Sequence, residues 1–302
     1  MHDQPARGVA YLCLGVLVFS LQDAIVKQVS AGYALTQVLV MRAVVGAPLL
    51  LLLVHRESGW RSILSPDFWL LTARAALLLC SYFAYYMAFP ALPLADAVAL
   101  YFTVPLFVTA LAGPFLGERS SGTVWLAIAL GFMGVVVTLR PGSGLFEPAA
   151  LLSLFSALMY AGSMLMARGL GSAQSASVMS FYQNAVFLVG ASLLAIVFMV
   201  LDPQRPEHPS LAFMLRGWSL PTLRDGLLIS SCGVIAAIGS VLLTAAYRVA
   251  RASTVTPFEY SGVLWAPLWG FLFFAEVPRW TTVLGGGMIV VSGLLALRLA
   301  RR

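Results

Sequence analysis

Charge is scarce in this sequence: 10% of the 302 residues are Asp, Glu, Lys or Arg, where soluble domains carry roughly a quarter. That shortage excludes an ordinary water-soluble fold. Histidine is also sparse. His2, His55 and His208 all lie outside the apolar runs, with no zincin spacing among them. No Gly-rich phosphate loop follows a strand-like segment, so an integral-membrane enzyme has no home for its chemistry, and a nucleotide-driven pump would need a separate subunit. The cysteines, Cys13, Cys80 and Cys232, are odd in number and sit inside apolar runs, which implies packing residues and no disulfide framework, metal site or cofactor. Basic residues do not cluster with interleaved aromatics, which removes nucleic acid as a partner. A channel's ring or filter pattern is also lacking.

What is abundant is hydrophobe, at 60% of residues with a mean hydropathy of +0.92. Crossing a hydrocarbon core of about 30 Å takes roughly 20 residues. Ten apolar runs of that order recur, at about 8–28, 34–54, 68–88, 94–116, 123–140, 149–169, 176–200, 226–248, 253–275 and 281–299. The sequence therefore predicts an all-α integral membrane protein with ten spans in contact with the bilayer. The longest connection, 201–225, carries Pro203, Pro206, Pro209 and Pro221 and is read as an extramembrane loop with a short interfacial helix near 211–218. Span 1 holds Asp23 and Lys27 with no small-residue cleavage site behind it, so a cleaved signal peptide is not expected. An even span number puts both termini on one face. Eleven basic residues fall on that face against six on the other, with Arg42 inside a span. The positive-inside rule then places both termini in the cytoplasm.

The ten spans read as two copies of five. At a lag of 141, Phe19 falls on Tyr160, Lys27 on Arg168 and Arg42 on Gln183; at a lag of 158, Asp96 falls on Thr254, Tyr101 on Glu259 and Glu118 on Glu276. An odd number of spans per copy forces the second copy upside down relative to the first. Inverted repeats of this kind build secondary transporters, with the solute site near the midplane between them.

Several stretches carry a family resemblance: Phe19 to Lys27 (FSLQDAIVK) with Arg42 beyond it, Ala95 to Pro105 (ADAVALYFTVP) followed by Leu116-Gly117-Glu118, and Pro257 to Pro278 (PFEYSGVLWAPLWGFLFFAEVP). Together they resemble the drug/metabolite transporter superfamily, in particular its ten-helix members built from two EamA-type halves. The resemblance implies a first repeat over 1–141, an inverted second repeat over 142–302, cytoplasmic termini in a bacterial inner membrane and a central cavity. Among such members the chain is most similar to the YddG-type aromatic amino acid exporters, because its interior candidates are so aromatic. The same stretches also occur in members resembling riboflavin, S-adenosylmethionine or metallophore carriers.

An ionisable group near the bilayer centre costs at least about 2.5 kcal/mol and persists where water, a partner or a substrate meets it. Glu259 lies some six residues inside span 9, roughly 9 Å deep at 1.5 Å per residue, and is the first candidate for a substrate amine or a proton; a buried neutral acid bonded to a hydroxyl is the alternative. Asp23 and Lys27 are four apart on one face in the favourable order for a local pair. Asp23 could instead meet Arg42, which is read as a clamp between spans 1 and 2. Asp96, just after Pro93, suits a helix N-terminus. Glu118 and Glu276, at matching helix ends, are read as tethers for the helices that follow.

Aromatics form the second constellation. Tyr82, Tyr85, Tyr86 and Phe89 share one helical face, and Phe19, Tyr101, Tyr160 and Trp265 occur at interior depth. Buried hydroxyls need partners, which a wet cavity supplies and lipid does not. The candidate substrate-binding set is therefore Glu259, Asp23, Phe19, Tyr82, Tyr86, Tyr101, Tyr160 and Trp265, with Arg42 and Lys27 as clamp or coupling groups and Pro105 and Pro267 as hinges. Small-residue strings at Gly131 to Gly134, Gly233 to Gly239 and Gly285 to Gly287 predict close helix packing, including a dimer face on spans 5 and 10. The functional expectation is a monomeric or weakly dimeric carrier exporting amino acids by alternating access.

Overall fold

In a low-dielectric core every backbone N–H and C=O must find a partner within the chain, so spans are helical except where the protein itself supplies one. The computed structural model describes residues 5–116, 122–140, 147–170, 174–201, 207–249 and 256–299. Among these, all regular structure is helical. The crossings are α1 (Pro5–Val29), α2 (Leu35–Glu57), α3 (Phe68–Ala88), the pair α4 (Leu94–Tyr101) and α5 (Val104–Leu116), α6 (Gly122–Leu139), α7 (Ala150–Leu170) and α8 (Ala176–Leu201). After α9 (Pro209–Leu215), the interfacial helix of the long loop, come α10 (Leu223–Val249), a 3-10 segment (Thr256–Ser261) running into α11 (Gly262–Phe274), and α12 (Trp280–Leu299). Ten crossings result, at the positions of the ten apolar runs.

Two spans are broken rather than continuous. Span 4 breaks at Phe102–Thr103 because Pro105 has no N–H to offer Tyr101 and the chain must reset. At the break the Leu100 carbonyl accepts from both the Thr103 N–H at 3.1 Å and the Thr103 hydroxyl at 2.8 Å. Shifting that break by the lag of 158 lands on Tyr260–Ser261, where the 3-10 segment turns into α11.

Helix packing obeys a two-fold exchange of the halves. α1 packs on α10 as α3 packs on α7, its repeat equivalent; α2–α10 answers α3–α8, and α1–α11 answers α5–α7. α2–α8 and α6–α12 map onto themselves and so lie on the axis. There Asn184 donates to the carbonyl of Ala43 at 2.9 Å, two positions separated by the repeat lag of 141. The Gly131–Gly134 and Gly285–Gly287 strings lie at the axial α6–α12 contact, while Gly233 and Gly239 let α10 approach α2 and α1. A Cβ on Gly134 would stand 2.6 Å from the Gly285 carbonyl, and one on Gly285 would stand 2.5 Å from that of Gly134. Of the glycines expected on a dimer face of spans 5 and 10, Gly134 and Gly285 meet each other within the chain.

This packing makes a paired prediction. Gly285→Ala should destabilise by about 1–3 kcal/mol because the new methyl meets backbone that cannot yield, while Gly287→Ala, with open space around it, should leave the melting temperature unchanged or slightly raised. Thermal denaturation of the detergent-solubilised variants checks this, and equal melting temperatures would contradict it.

Candidate functional site

Between the halves lies a cavity of about 130 Å³, several times the space one water needs. α1 contributes Phe19, Ser20 and Asp23; α3 contributes Ser81, Tyr82, Tyr85 and Tyr86; the broken span 4 contributes Val98 to Pro105 in part; α7 contributes Ser156 and Tyr160; and the 3-10 segment with α11 contributes Glu259, Gly262 and Ala266. The wall is mostly apolar, with two carboxylates and five tyrosines set into it. Its rings form a connected path: Tyr160 meets Tyr101 edge-on at 5.7 Å, Tyr101 meets Tyr85 at 4.7 Å, and Tyr82 meets Tyr86 at 5.5 Å. Contacts in this range are the preferred aromatic geometry and hold each ring in place.

Seven of the eight expected binding residues, Glu259, Asp23, Phe19, Tyr82, Tyr86, Tyr101 and Tyr160, come together on this wall, and Pro105 stands beside them. Trp265 does not; it packs against Trp269 at 6.3 Å, outside the lining. Trp269 in turn donates to Ser20 at 2.9 Å and ties span 9 to span 1. Pro267 lies inside α11 away from the lining. Glu259 occupies a 3-10 turn and not a helix interior, so it sits at the break in span 9.

The polar support behind the wall differs from the expected pairing. Asp23 accepts from the Tyr85 hydroxyl at 3.0 Å and does not bond Lys27 or Arg42. Arg42 is buried, its guanidinium 5.2 Å from the centre of the Tyr82 ring and 5.1 Å from that of Phe187. The clamp between spans 1 and 2 runs through Gln22, which the sequence reading missed. With its amide set so that both ends meet complementary groups, its oxygen accepts from Arg42 Nη1 at 3.1 Å and from the Tyr86 hydroxyl, and its nitrogen donates to the Cys232 carbonyl at 3.0 Å. One fully buried side chain thereby joins α1, α2, α3 and α10. Neutral polar residues carry no charge signal, and Gln22 resembles any other Gln in the sequence.

On the face opposite the termini, Lys27 forms an ion pair with Glu276 at 2.7 Å and donates to the Leu92 carbonyl. The second oxygen of Glu276 accepts from the Leu94 N–H at 2.9 Å. That amide needs help, since the residue before it is Pro93, which has no side chain able to cap α4. Glu276 is aimed there by Ala275 in a left-handed conformation (φ 53°), after which the Glu276 N–H returns to the Gly270 carbonyl at 3.0 Å. Glu276 is a tether, but to span 4 and span 1 rather than to α12. Glu118 lies outside the described residues. Asp96 is in the first turn of α4, yet its carboxylate accepts from Thr282 of α12, so it bridges spans 4 and 10 and caps nothing. Arg74, counted in the sequence as a loop-end charge, is well inside α3.

Two five-helix halves related by a two-fold exchange, each with a broken helix opening on one small aromatic and acidic cavity, define a polytopic membrane carrier. The sequence agrees: the EamA-like transporter family matches twice, over residues 6–140 and 147–298, and the chain belongs to that family of membrane transporters. It is 30% identical to the pseudopaline exporter of Pseudomonas aeruginosa over 96% of this chain and 95% of that one. It is 29% identical to a riboflavin transporter of Vibrio cholerae over 97% and 93%, and 25% identical to an S-adenosylmethionine uptake transporter of Rickettsia bellii over 67% and 63%. A solved structure covering 98% of both chains superposes with a TM-score of 0.65 at 15% identity, a likeness of fold.

The Lys27–Glu276 pair predicts a double-mutant result. Lys27→Gln and Glu276→Gln should each destabilise by about 2 kcal/mol, the scale of a hydrogen bond to a charged group. The two losses should not add, because each removes the same pair. Thermal melting of the two single variants and the double variant measures this; strictly additive losses would mean the pair contributes nothing as a pair.

Proposed function

We propose that the protein exports amino acids, aromatic and other apolar ones included, across the bacterial inner membrane by alternating access. The halves, 1–141 and 142–302, rock about the cavity with both termini cytoplasmic and with Pro105 and Pro267 at the bending points. The observation that carries this reading is the pairing of chemistries on one wall: Asp23 and Glu259 offer negative charge for an ammonium, and Phe19, Tyr82, Tyr86, Tyr101 and Tyr160 offer ring faces for an apolar or aromatic side chain. A small pocket of few polar groups in an apolar wall is the ordinary form of a small-molecule site. Glu259 is also the group suited to carry a coupled proton; a uniporter would need no titration there.

A second reading, a carrier for another metabolite such as riboflavin, S-adenosylmethionine or a metallophore, is favoured by the names of the relatives. The two readings diverge in competition. Uptake of labelled phenylalanine and threonine into proteoliposomes should saturate and be inhibited by other amino acids; absence of amino acid uptake together with riboflavin or S-adenosylmethionine uptake would favour the second reading.

Within the first reading, Tyr101→Ala should raise the half-saturating concentration about tenfold, equivalent to about 1.4 kcal/mol, and Trp265→Ala should leave it at the wild-type value. The reverse order of effects would remove the cavity as the binding site. If transport is proton-coupled, Glu259→Gln should abolish its dependence on a pH gradient while substrate exchange persists at a raised half-saturating concentration. Unchanged dependence would remove Glu259 as the coupling group.

A further inference from the structure

The cavity is shut on the face opposite the termini. α1 and α11 end there and α4 begins there, and the side chains at that end, Val26, Phe89, Leu92 and Leu94, are all buried. Leu94 is also the outermost lining residue of α4, as Asp23 is of α1. One helical turn beyond Asp23 stands Lys27. Its ammonium donates to the Leu92 carbonyl and pairs at 2.7 Å with Glu276, whose second oxygen takes the Leu94 N–H at 2.9 Å. The same ammonium lies 5.4 Å from the centre of the Phe274 ring. Two charged side chains therefore tie the end of α1 to the start of α4 across the outer end of the cavity.

α4 has eight residues, about two turns, and the break at Phe102–Thr103 separates it from α5, so it can turn without carrying α5 with it. Leu94, Val98 and Tyr101, at spacings of four and three, put one face of α4 on the cavity. Away from that face, Asp96 accepts from Thr282 and holds α4 to α12. The tie to Lys27 and Glu276 is what closes the cavity side. A carrier that alternates must open this end in part of its cycle. Opening it to water lets both charges and the Leu94 amide be hydrated as they part, whereas in a dry core each would be left unpaired at high cost. The repeat keeps both charge signs: in sequence Lys27 falls on Arg168 and Glu276 on Glu118. The inverted copy thereby encodes a pair of the same signs for the other face, as alternating access requires.

We propose that Lys27 and Glu276 are the outer gate of the carrier: paired, they close the cavity on the face opposite the termini, and parted, they let the solute pass there. This rests on the reading of the cavity as the transport site and does not depend on which solute is carried.

The test is thiol accessibility of the lining position 98, as Val98→Cys with Cys13, Cys80 and Cys232 replaced. A membrane-impermeant thiol reagent is applied to membrane vesicles of each orientation, so that each face is read by itself. With Lys27 and Glu276 in place, modification from the face opposite the termini should be slow. Lys27→Gln and Glu276→Gln should each raise that rate at least tenfold; Glu276→Gln keeps an oxygen for the Leu94 N–H and so keeps the fold. Gly285→Ala, which loosens the axial α6–α12 contact instead, should leave the rate unchanged, with melting temperatures recorded for every variant. A rise in the two gate variants without one in Gly285→Ala supports the gate. An equal rise in all three is general loosening and overturns it, as does no rise in either gate variant. The readout needs no transported solute, so a failure of amino acid uptake would overturn the functional reading and leave the gate to be decided by these rates.

Discussion

The constraint on which the structure depends is that hydrocarbon offers no hydrogen bond to a broken backbone. A span can be interrupted only where the protein supplies the missing partners or where the interruption borders a polar cavity. Both interruptions here, at Phe102–Thr103 and at Thr256–Ser261, meet that condition. The first is flanked by Thr103, whose N–H and hydroxyl both donate to the Leu100 carbonyl, and the N-terminal end of the same span is held by Glu276 on the Leu94 amide. Glu276 can serve because Lys27 neutralises it and the left-handed Ala275 turns it back toward α4. A chain of local necessities thus runs from a proline without an N–H to an ion pair joining the first span to the end of the ninth.

The two-fold exchange then determines where the cavity lies between the halves. Of the axial contacts, α6–α12 is made by glycines that let backbone approach backbone, and α2–α8 carries the Asn184–Ala43 hydrogen bond. Off the axis, α1, α3, α7, the broken fourth span and the start of span 9 leave a gap, and the polar groups of those helices face it. Gln22 fixes the angle between four helices behind that gap by satisfying Arg42, Tyr86 and Cys232 at once. Arg42 can be buried there because its flat guanidinium also lies against two rings. The ring stripe of α3 is held on one side by this network and on the other by Asp23.

The span pattern was legible in the sequence because a membrane crossing is written in composition over about 20 residues, and the repeat because Tyr101, Glu259, Glu118 and Glu276 recur at one lag. Seven of the eight chosen wall residues converge because polar and aromatic groups at depth have few other places to go. The failures have physical causes. α11 is apolar on every face (GVLWAPLWGFLFF), so nothing in its sequence fixes the rotation that keeps Trp265 off the cavity lining. Lys27 has an acid four residues away and another near the far end of the chain, and only tertiary packing chooses Glu276. Arg74 sits near a span end in the sequence and is counted with the loop charges, although it lies within α3.

The central claim is that the gap between the halves is the path of the solute. The most direct measurement places a single thiol on its wall, Val98→Cys in a background with Cys13, Cys80 and Cys232 replaced, and follows transport in proteoliposomes after treatment with a small membrane-impermeant thiol reagent. The account predicts that modification at residue 98 blocks transport and that excess substrate slows the modification. Full modification at residue 98 with transport unimpaired would contradict it.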